Sequence, residues 1–277
     1  MLLGGPVFAP ISDPSAWVTA LRAEGYRAAF CPVGVEADPA TVRAFADAAA
    51  RAGIVIAEVG AWSNPLSPDR KVRKDAVDKC VRSLELADRI GARCCVNISG
   101  SRGEKWDGPS PLDLTDETFD MIVQSVREII DGAKPTRTFY TLETMPWMYP
   151  DSPESYLRVV EAVDRERFAV HLDVVNMISS PQRHYGNAAF VRECFRLLGP
   201  RIRSCHAKDT ALGDSLTTHL DEVGPGQGGL DYVTFLRELA ALGSEVPLML
   251  EHLKEPSEYR AAADYIRRKA REAGLSH

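Results

Sequence analysis

Short apolar runs alternate with amphipathic segments along most of the chain. The runs have the length and composition of buried strands, and the segments between them repeat apolar residues every three or four positions, as helices packed on one face do. Asp13-Pro14 with Gly25, and Asp38-Pro39 with Gly53, mark helix boundaries, because proline suits the first helical position and glycine the position after the last. The pattern predicts strands at residues 5–8, 26–31, 54–59, 92–98, 138–143, 168–173, 202–206 and 246–251.

The order of these elements predicts the fold. Strands that alternate with helices imply a parallel sheet with right-handed crossovers. Eight strand–helix units in 277 residues, with no break in composition, predict an α/β (β/α)8 TIM barrel formed by a single domain, residues 1–277. A doubly wound open sheet is the alternative, but no Gly-x-Gly-x-x-Gly turn follows an early strand. The glycine-rich residues 224–229 do not directly follow a strand, so we interpret them as a turn and not as a phosphate-binding loop.

Composition and charge narrow the classes of function. The net charge of −6, without a basic block, disfavours nucleic-acid binding. No apolar run reaches the ~20 residues of a membrane span, and the first residues resemble a strand more than a signal peptide. The six cysteines form no CxxC pair, which predicts reduced thiols and a cytoplasmic protein.

Four successive strands in the second half end in a polar side chain that an apolar run should not carry. Burying a charge is costly unless it is paired or coordinates a metal. Each residue alone is equally well explained as a cap or a hydrogen-bond partner, but the carboxyl ends of barrel strands meet at one mouth. Two glutamates, one aspartate and one histidine suit one divalent ion, with positions left for substrate oxygens. The four residues are Glu143, Asp173, His206 and Glu251.

The surrounding motifs point to a known family. They are Leu142-Glu143-Thr144, Leu172-Asp173-Val174-Val175-Asn176, Cys205-His206-Ala207-Lys208-Asp209, residues 224–231 and Leu250-Glu251-His252. In these motifs the chain resembles the xylose isomerase-like TIM-barrel family of sugar isomerases, ketose 3-epimerases, inosose isomerases and dehydratases, and endonuclease IV. The resemblance implies that Glu143, Asp173, His206 and Glu251 bind one divalent metal, with Mn²⁺ expected and Mg²⁺, Co²⁺ or Zn²⁺ as alternatives. It also implies that Glu143 and Glu251 act as the catalytic acid/base pair.

The chemistry of a sugar isomerase explains this dual use of carboxylates. Moving a carbonyl along a sugar, or inverting the centre beside it, requires removal of a proton from the carbon next to the carbonyl. A metal that chelates the carbonyl and a neighbouring hydroxyl stabilises the enediolate that results. One carboxylate takes the proton, and a carboxylate on the other face returns one in an epimerisation. The alternative is that Glu143 and Glu251 are only ligands and that another residue moves the proton.

Several neighbouring residues are candidates for substrate binding. Lys208 is expected to point the same way as His206, where its ammonium would hold a substrate oxygen or pair with an acid of the site. His171 is expected to point inward as Asp173 does, and such a histidine commonly supports a ligand by hydrogen bonding. Asn176 matches a position where ketose epimerases often carry histidine, which weakens the epimerase assignment. Trp62 and Trp147 follow strand ends and are placed to stack on a sugar ring.

The sequence therefore predicts a metal-dependent isomerase or epimerase acting on a free sugar, keto-sugar or inosose, a small-molecule carbohydrate. A lyase of the same superfamily, such as an inosose dehydratase or a 3-keto-glycoside-cleaving enzyme, is the first alternative. A non-catalytic sugar-binding barrel is the second. All six histidines lie at position 171 or later, which argues against the three-metal site of endonuclease IV. Exposed aromatic residues in the loops at 99–111 and 145–150 would suit a homo-oligomer contact.

Overall fold

The computed structural model describes residues 1–243 and 246–275. In these ranges the chain alternates between strands and helices, as the apolar pattern predicts. The strands in chain order are β1 (Leu2–Gly4), β2 (Ala28–Phe30), β3 (Val55–Gly60), β4 (Cys94–Asn97), β5 (Phe139–Glu143), β6 (Phe168–Leu172), β7 (Ile202–Ala207), β8 (Asp209–Leu212), β9 (Leu220–Val223) and β10 (Pro247–Leu250).

Eight of these strands close into a parallel barrel, which confirms the predicted (β/α)8 fold. The order around the barrel is β1, β10, β7, β6, β5, β4, β3, β2 and back to β1. The closure joins the first strand to the last, with Leu2 opposite Pro247 and Gly4 opposite Met249. The remaining two strands, β8 and β9, form an antiparallel hairpin after β7, in a stretch where the apolar pattern predicts no strand.

Helices surround the barrel and begin and end at the residues that favour such boundaries. Asp13 accepts hydrogen bonds from the backbone N–H groups of the first turn that follows it, and Asp38 does the same for the next helix. Gly53 ends that second helix with a φ of 66°, a conformation that glycine adopts without strain. The helices are α1 (Pro14–Ala23), α2 (Pro39–Ala52), α3 (Arg70–Ile90), α4 (Asp116–Ala133), α5 (Pro153–Val163), α6 (Pro181–Tyr185), α7 (Asn187–Leu198), α8 (Tyr232–Ala241) and α9 (Pro256–Glu272).

The first strand lies earlier than the apolar pattern indicates. The prediction of a strand at residues 5–8 is wrong, because β1 is Leu2–Gly4. A side chain on Gly4 would place its Cβ 2.5 Å from the carbonyl oxygen of Ala28 and 2.7 Å from the sulfur of Met249. Glycine at this position therefore lets β2 and β10 approach β1 from both sides.

The interior is apolar at one end and polar at the other. Leu2, Ala28, Ala57 and Met249 form a small buried cluster of their own, separate from the large core of strand and helix side chains. Along β7 and the residue after it, Ser204, His206 and Lys208 share one face because strand side chains alternate. The polar residues of the interior therefore lead toward the carboxyl end of β7.

The glycine-rich residues 224–229 wrap around a carboxylate of the chain itself. The buried Asp209 side chain accepts hydrogen bonds from the backbone N–H groups of Thr210, Gly226 and Leu230 at 2.8–2.9 Å. A Cβ on Gly228 would lie 2.5 Å from the same carboxylate. These glycines permit a tight turn over Asp209, in agreement with the interpretation of this stretch as a turn. The expectation that no strand directly precedes it is wrong, because β9 ends at Val223.

Two further predictions concern cysteines and membranes. All six cysteines are free, and five of them are buried while Cys31 is half-buried. Among the residues that the structure describes, no helix combines the length and the apolar character that a bilayer crossing requires.

Candidate metal centre

The four predicted ligands come together at the carboxyl end of the barrel. Glu143 ends β5, Asp173 and Glu251 directly follow β6 and β10, and His206 lies in β7. One ligand atom from each of the four lies within 4.8 Å of the others. The neighbouring order of β10, β7, β6 and β5 in the barrel brings these side chains to one side of the mouth.

The imidazole of His206 turns its Nδ1 atom toward the acidic residues. This nitrogen lies 2.8 Å from Glu251 Oε1, 3.1 Å from Glu143 Oε1 and 3.6 Å from Asp173 Oδ2. Burial alone would lower the pKa of His206, but Glu251, Glu143 and Glu58 raise it well above its ordinary value. A metal ion would have to displace the proton from Nδ1, as metal ligands generally require.

Two buried carboxylate oxygens in this cluster lie at ion-pair distances from Lys208 but make no aligned hydrogen bond. They are Asp173 Oδ2 and Glu251 Oε1, and both point to the region that His206 Nδ1 faces. Oxygen and imidazole donors in this arrangement fit a divalent cation of the Mn²⁺, Mg²⁺ or Zn²⁺ type. The residues therefore fit the metal that the sequence motifs imply.

Lys208 supplies positive charge at the same point. Its ammonium lies 2.7 Å from Glu251 Oε1, 2.9 Å from Asp173 Oδ2 and 3.3 Å from Glu143 Oε1, at ion-pair distances without the alignment of a hydrogen bond to the first two oxygens. Burial would lower the pKa of Lys208, but Asp173, Glu143, Glu251 and Glu222 raise it well above its ordinary value. Lys208 therefore forms salt bridges with the acids of the site.

Lys208 and His206 lower the pKa values of the acids that surround them. Burial would raise the pKa of Asp173, but Lys208 and His206 hold it below its usual range. Burial likewise opposes ionisation of Glu251, yet His206 and Lys208 lower its pKa to about 2. Both side chains are therefore carboxylates at neutral pH, as metal ligands and proton acceptors must be.

Glu58 is a buried member of the site that the sequence reasoning missed. It lies in β3, and its Oε2 is 2.8 Å from His171 Nε2 and accepts a 3.0 Å hydrogen bond from the Ser204 hydroxyl. Its Oε1 lies 3.3 Å from His206 Nε2. The surrounding histidines lower the pKa of Glu58 below its usual range against the opposing effect of burial. Glu58, His171 and His206 also have metal-ligand spacing, but both oxygens of Glu58 already have partners, so a hydrogen-bond network explains this group better.

A second missed residue comes from the hairpin. Glu222 of β9 lies 3.3 Å from Lys208 Nζ and 2.8 Å from His252 Nδ1. His252 directly follows Glu251 and has a φ of 57°, which is uncommon for a residue other than glycine. The hydrogen bond with Glu222 raises the pKa of His252.

The predicted substrate-binding residues divide into two groups. Lys208, Asn176, Trp62 and Trp147 line the cavity above the acidic cluster. The amide nitrogen of Asn176 donates to Glu143 Oε1 at 3.1 Å and to the backbone oxygen of Thr144, so that it orients the Glu143 carboxylate. His171 is fully buried beneath the cavity and contacts Glu58.

Comparisons with known proteins agree with this architecture. Residues 18–269 match the family model described as xylose isomerase-like TIM barrel. A sequence comparison with curated proteins found no match.

Three solved structures illustrate the range of similar proteins. A xylose isomerase-like TIM barrel protein from Mycobacterium smegmatis in complex with magnesium is 17% identical, with a TM-score of 0.66 over 96% of this chain and 90% of that chain. A 3-keto-D-glucoside 4-epimerase from E. coli is 15% identical, with a TM-score of 0.69 over 97% of this chain and 99% of that chain. Endonuclease IV from Thermus thermophilus is 17% identical, with a TM-score of 0.73 over 98% of this chain and 99% of that chain. At these identities the likeness establishes the fold alone.

Proposed function

Because the chain belongs to the xylose isomerase-like TIM barrel family, we propose that it is a divalent-metal-dependent isomerase or epimerase of a small sugar, keto-sugar or inosose. The observation that carries this proposal is the convergence of four ligand atoms within 4.8 Å, two of them buried carboxylate oxygens that make no aligned hydrogen bond. The epimerase of a keto-glucoside among the similar structures supports the choice of substrate class. The free thiols of the six cysteines support the proposal of a cytoplasmic protein.

Glu143, Asp173, His206 and Glu251 would hold the metal, for which we propose Mn²⁺. When bound, the ion polarises a carbonyl and stabilises negative charge on the neighbouring oxygens. Lys208 lies 2.9 Å from Asp173 Oδ2 and 2.7 Å from Glu251 Oε1, so its ammonium would be placed beside a bound sugar to hold a substrate oxygen.

Proton transfer falls to the two glutamates in this proposal. Glu143 and Glu251 belong to β5 and to the end of β10, which β6 and β7 separate in the barrel. One glutamate, as the carboxylate, removes the proton from the carbon next to the carbonyl, and the other, as the carboxylic acid, donates its own proton to the opposite face of the enediolate. Asn176 keeps Glu143 oriented through the hydrogen bond to its Oε1. Trp62 and Trp147 are proposed to contact the substrate from the cavity wall.

The test is hydrogen exchange at a sugar carbon. The Mn²⁺-loaded protein is incubated in D₂O with a panel of free ketoses, inososes and 3-keto-glycosides, and the products are followed by NMR. Deuterium at a sugar carbon without loss of a group is the result expected. Release of water or of an aglycone would assign the protein to the lyases instead. A protein that neither retains nor gains a divalent metal and exchanges no deuterium would be the non-catalytic barrel.

The substitution Glu251→Gln separates the two roles of this residue. We expect turnover to fall at least ~100-fold, because the amide cannot take up a proton, while metal affinity falls less. Metal affinity is measured by titration and turnover by deuterium exchange. Glu128→Gln makes the same chemical change on the exposed face of α4 and should alter neither. Equal losses of turnover and of metal affinity would show that Glu251 is a ligand only.

A further inference from the structure

The cavity above the acidic cluster is larger than a single sugar ring needs. Its volume is about 1290 Å³, whereas pockets for drug-sized ligands usually span ~300–1,000 Å³. A sugar bound at Glu143, Lys208 and Glu251 would occupy one side of this space. The remainder of the cavity must therefore accommodate water or a further part of the substrate.

The two sides of the cavity differ in chemistry. On one side, Glu143, Lys208, Glu222 and Glu251 come from β5, the end of β7, β9 and the end of β10. Apolar side chains dominate the side formed by the loops after β2, β3, β4 and β5. They are Phe30, Val33, Val35, Trp62, Trp106 and Trp147.

The tryptophans of this apolar side are held in place by specific contacts. The indole N–H of Trp147 donates to the backbone oxygen of Asp107 at 3.1 Å, so its one polar atom is already bonded. Lys79 donates to the backbone oxygen of Trp62 at 2.8 Å. A Cβ on Gly60 would overlap the Trp62 indole, so glycine at this position makes room for the ring. The aromatic wall is therefore built before any ligand binds.

The loop that carries Trp106 is also fixed. The buried Asp113 carboxylate accepts hydrogen bonds from the Ser101 hydroxyl at 2.7 Å and from the backbone N–H of Arg102 at 2.8 Å. Trp62 is nevertheless 37% exposed and Trp106 38% exposed. Large aromatic surfaces left open inside a preformed cavity are typical of ligand-binding sites.

Polar groups on this side are poorly suited to a second sugar. The charged side chains of the loops and helix on this side already have partners: Lys105 pairs with Asp107 at 3.2 Å, and Lys79 donates to the backbone oxygen of Trp62. A further sugar ring would need hydrogen-bond partners for its hydroxyl groups, since burying them unpaired is costly. A flat apolar group needs only the aromatic wall.

Building on the proposed function, we propose that the substrate is a keto-sugar that carries a flat aromatic group, such as the keto form of an aryl glycoside. The sugar lies at the carboxylates and Lys208, and the aromatic group lies against Trp62, Trp106 and Trp147. The aromatic side of the cavity is thus a specificity subsite for an aglycone.

Binding of two glucosides to the Mn²⁺-loaded protein tests this proposal. Titration calorimetry compares para-nitrophenyl glucoside with methyl glucoside, which share the sugar and differ in the group attached to it. We expect the aryl compound to bind at least about tenfold more tightly, because each aromatic contact contributes on the order of one decade in affinity. Trp62→Ala should weaken the binding of para-nitrophenyl glucoside far more than the binding of methyl glucoside, so that most of the preference for the aryl compound is lost.

Two further variants test whether the aryl preference depends on the position of the Trp62 indole. Gly60→Ala keeps all tryptophans but displaces the Trp62 indole, so it should weaken the aryl preference as well. Phe8→Ala removes an exposed aromatic side chain outside the cavity and should leave the preference intact.

The outcome is independent of the test for isomerisation. Equal affinities for the two glucosides, or a preference for maltose over para-nitrophenyl glucoside, would overturn the aglycone subsite. Deuterium exchange on free ketoses would in that case still decide the proposed reaction. An aryl preference that Trp62→Ala abolishes would establish the subsite even if no ketose exchanged deuterium.

Discussion

His206 presents its two ring nitrogens to different partners. Nδ1 faces the acids of the proposed metal site, and Nε2 faces Glu58 at 3.3 Å. Glu58 in turn is held by Ser204 and contacts His171. A carboxylate behind a metal-binding histidine fixes the ring orientation and the nitrogen that is free for the metal. We infer that Glu58 positions His206.

The variant Glu58→Gln should weaken metal binding while all four ligands remain. We expect the dissociation constant for Mn²⁺ to rise ~10–100-fold, as for other losses of a carboxylate behind a ligating histidine. Competition titration with a metal-sensitive dye measures this change, and ¹⁵N NMR of the histidine rings reports the change at His206. Ser204→Ala removes one hydrogen bond to Glu58 but keeps its charge, so a smaller effect is expected. An unchanged affinity in Glu58→Gln would contradict the positioning role.

The residues of the site differ in how far the sequence predicts them. Glu143, Asp173, His206 and Glu251 interrupt apolar runs at strand ends, and the structure brings them together. Glu58 gives the same signal within residues 54–59, because it is also an acid inside an apolar run. Glu222 gives none, because it lies in a polar stretch and reaches Lys208 only through the pairing of β8 with β9.

At the scale of elements, the apolar periodicity predicts long helices and buried strands. It does not predict short strands whose limits depend on the strands they pair with. The barrel strands after β1 lie where the apolar runs occur. Strand β1 has three residues, and its limits depend on β2 and β10 more than on its own pattern. Val72 in the first turn of α3 is 49% exposed, because the helix meets the core only from its second turn onward.

The ion pair between the end of α1 and α9 has a predictable pH dependence. Arg260 of α9 donates two hydrogen bonds to Glu24, at 2.9 and 3.1 Å, and these lower the pKa of Glu24. A lowered pKa in the folded state stabilises the fold above the ordinary pKa of the carboxyl group. This contribution disappears as the pH falls through the folded pKa.

Glu24→Gln should therefore destabilise the protein at neutral pH and not in acid. We expect a loss of less than ~1 kcal/mol in the free energy of unfolding at neutral pH, because the pair is near the surface. Urea titrations of both proteins at several pH values measure the difference, which should vanish in acid below the folded pKa of Glu24. Glu272→Gln, which removes an exposed pair within α9, should have a smaller effect. A difference that persists in acid would show that the pair is not its cause.

At the scale of the whole molecule, the closed barrel supports the proposal that residues 1–277 form one domain. The proposed metal ligands come from strands across the second half of that barrel. Metal binding should therefore stabilise the barrel as a unit, by ~2.7 kcal/mol at ~100 times the dissociation constant.

Thermal unfolding of chelator-treated protein tests the one-domain organisation and the stabilisation by metal. We expect a single transition whose midpoint rises by several degrees with added Mn²⁺ in a concentration-dependent way. The Asp173→Asn variant, which lacks one proposed ligand, should show a much smaller rise. Two separate transitions would contradict the one-domain organisation, and an equal rise in Asp173→Asn would contradict the assigned ligands.

The pairing of β1 with β10 has a consequence for how the protein is made. Strand β1 leaves the ribosome before every other barrel strand. Its partner β10, which places Pro247 opposite Leu2, emerges only after the other seven barrel strands have been translated. At ~5–20 residues per second, the nascent barrel stays open for roughly 10–50 s. During that time the free edge of the sheet can pair with other chains. A ribosome-bound chain that ends before β10 should therefore depend on chaperones far more than the released protein does.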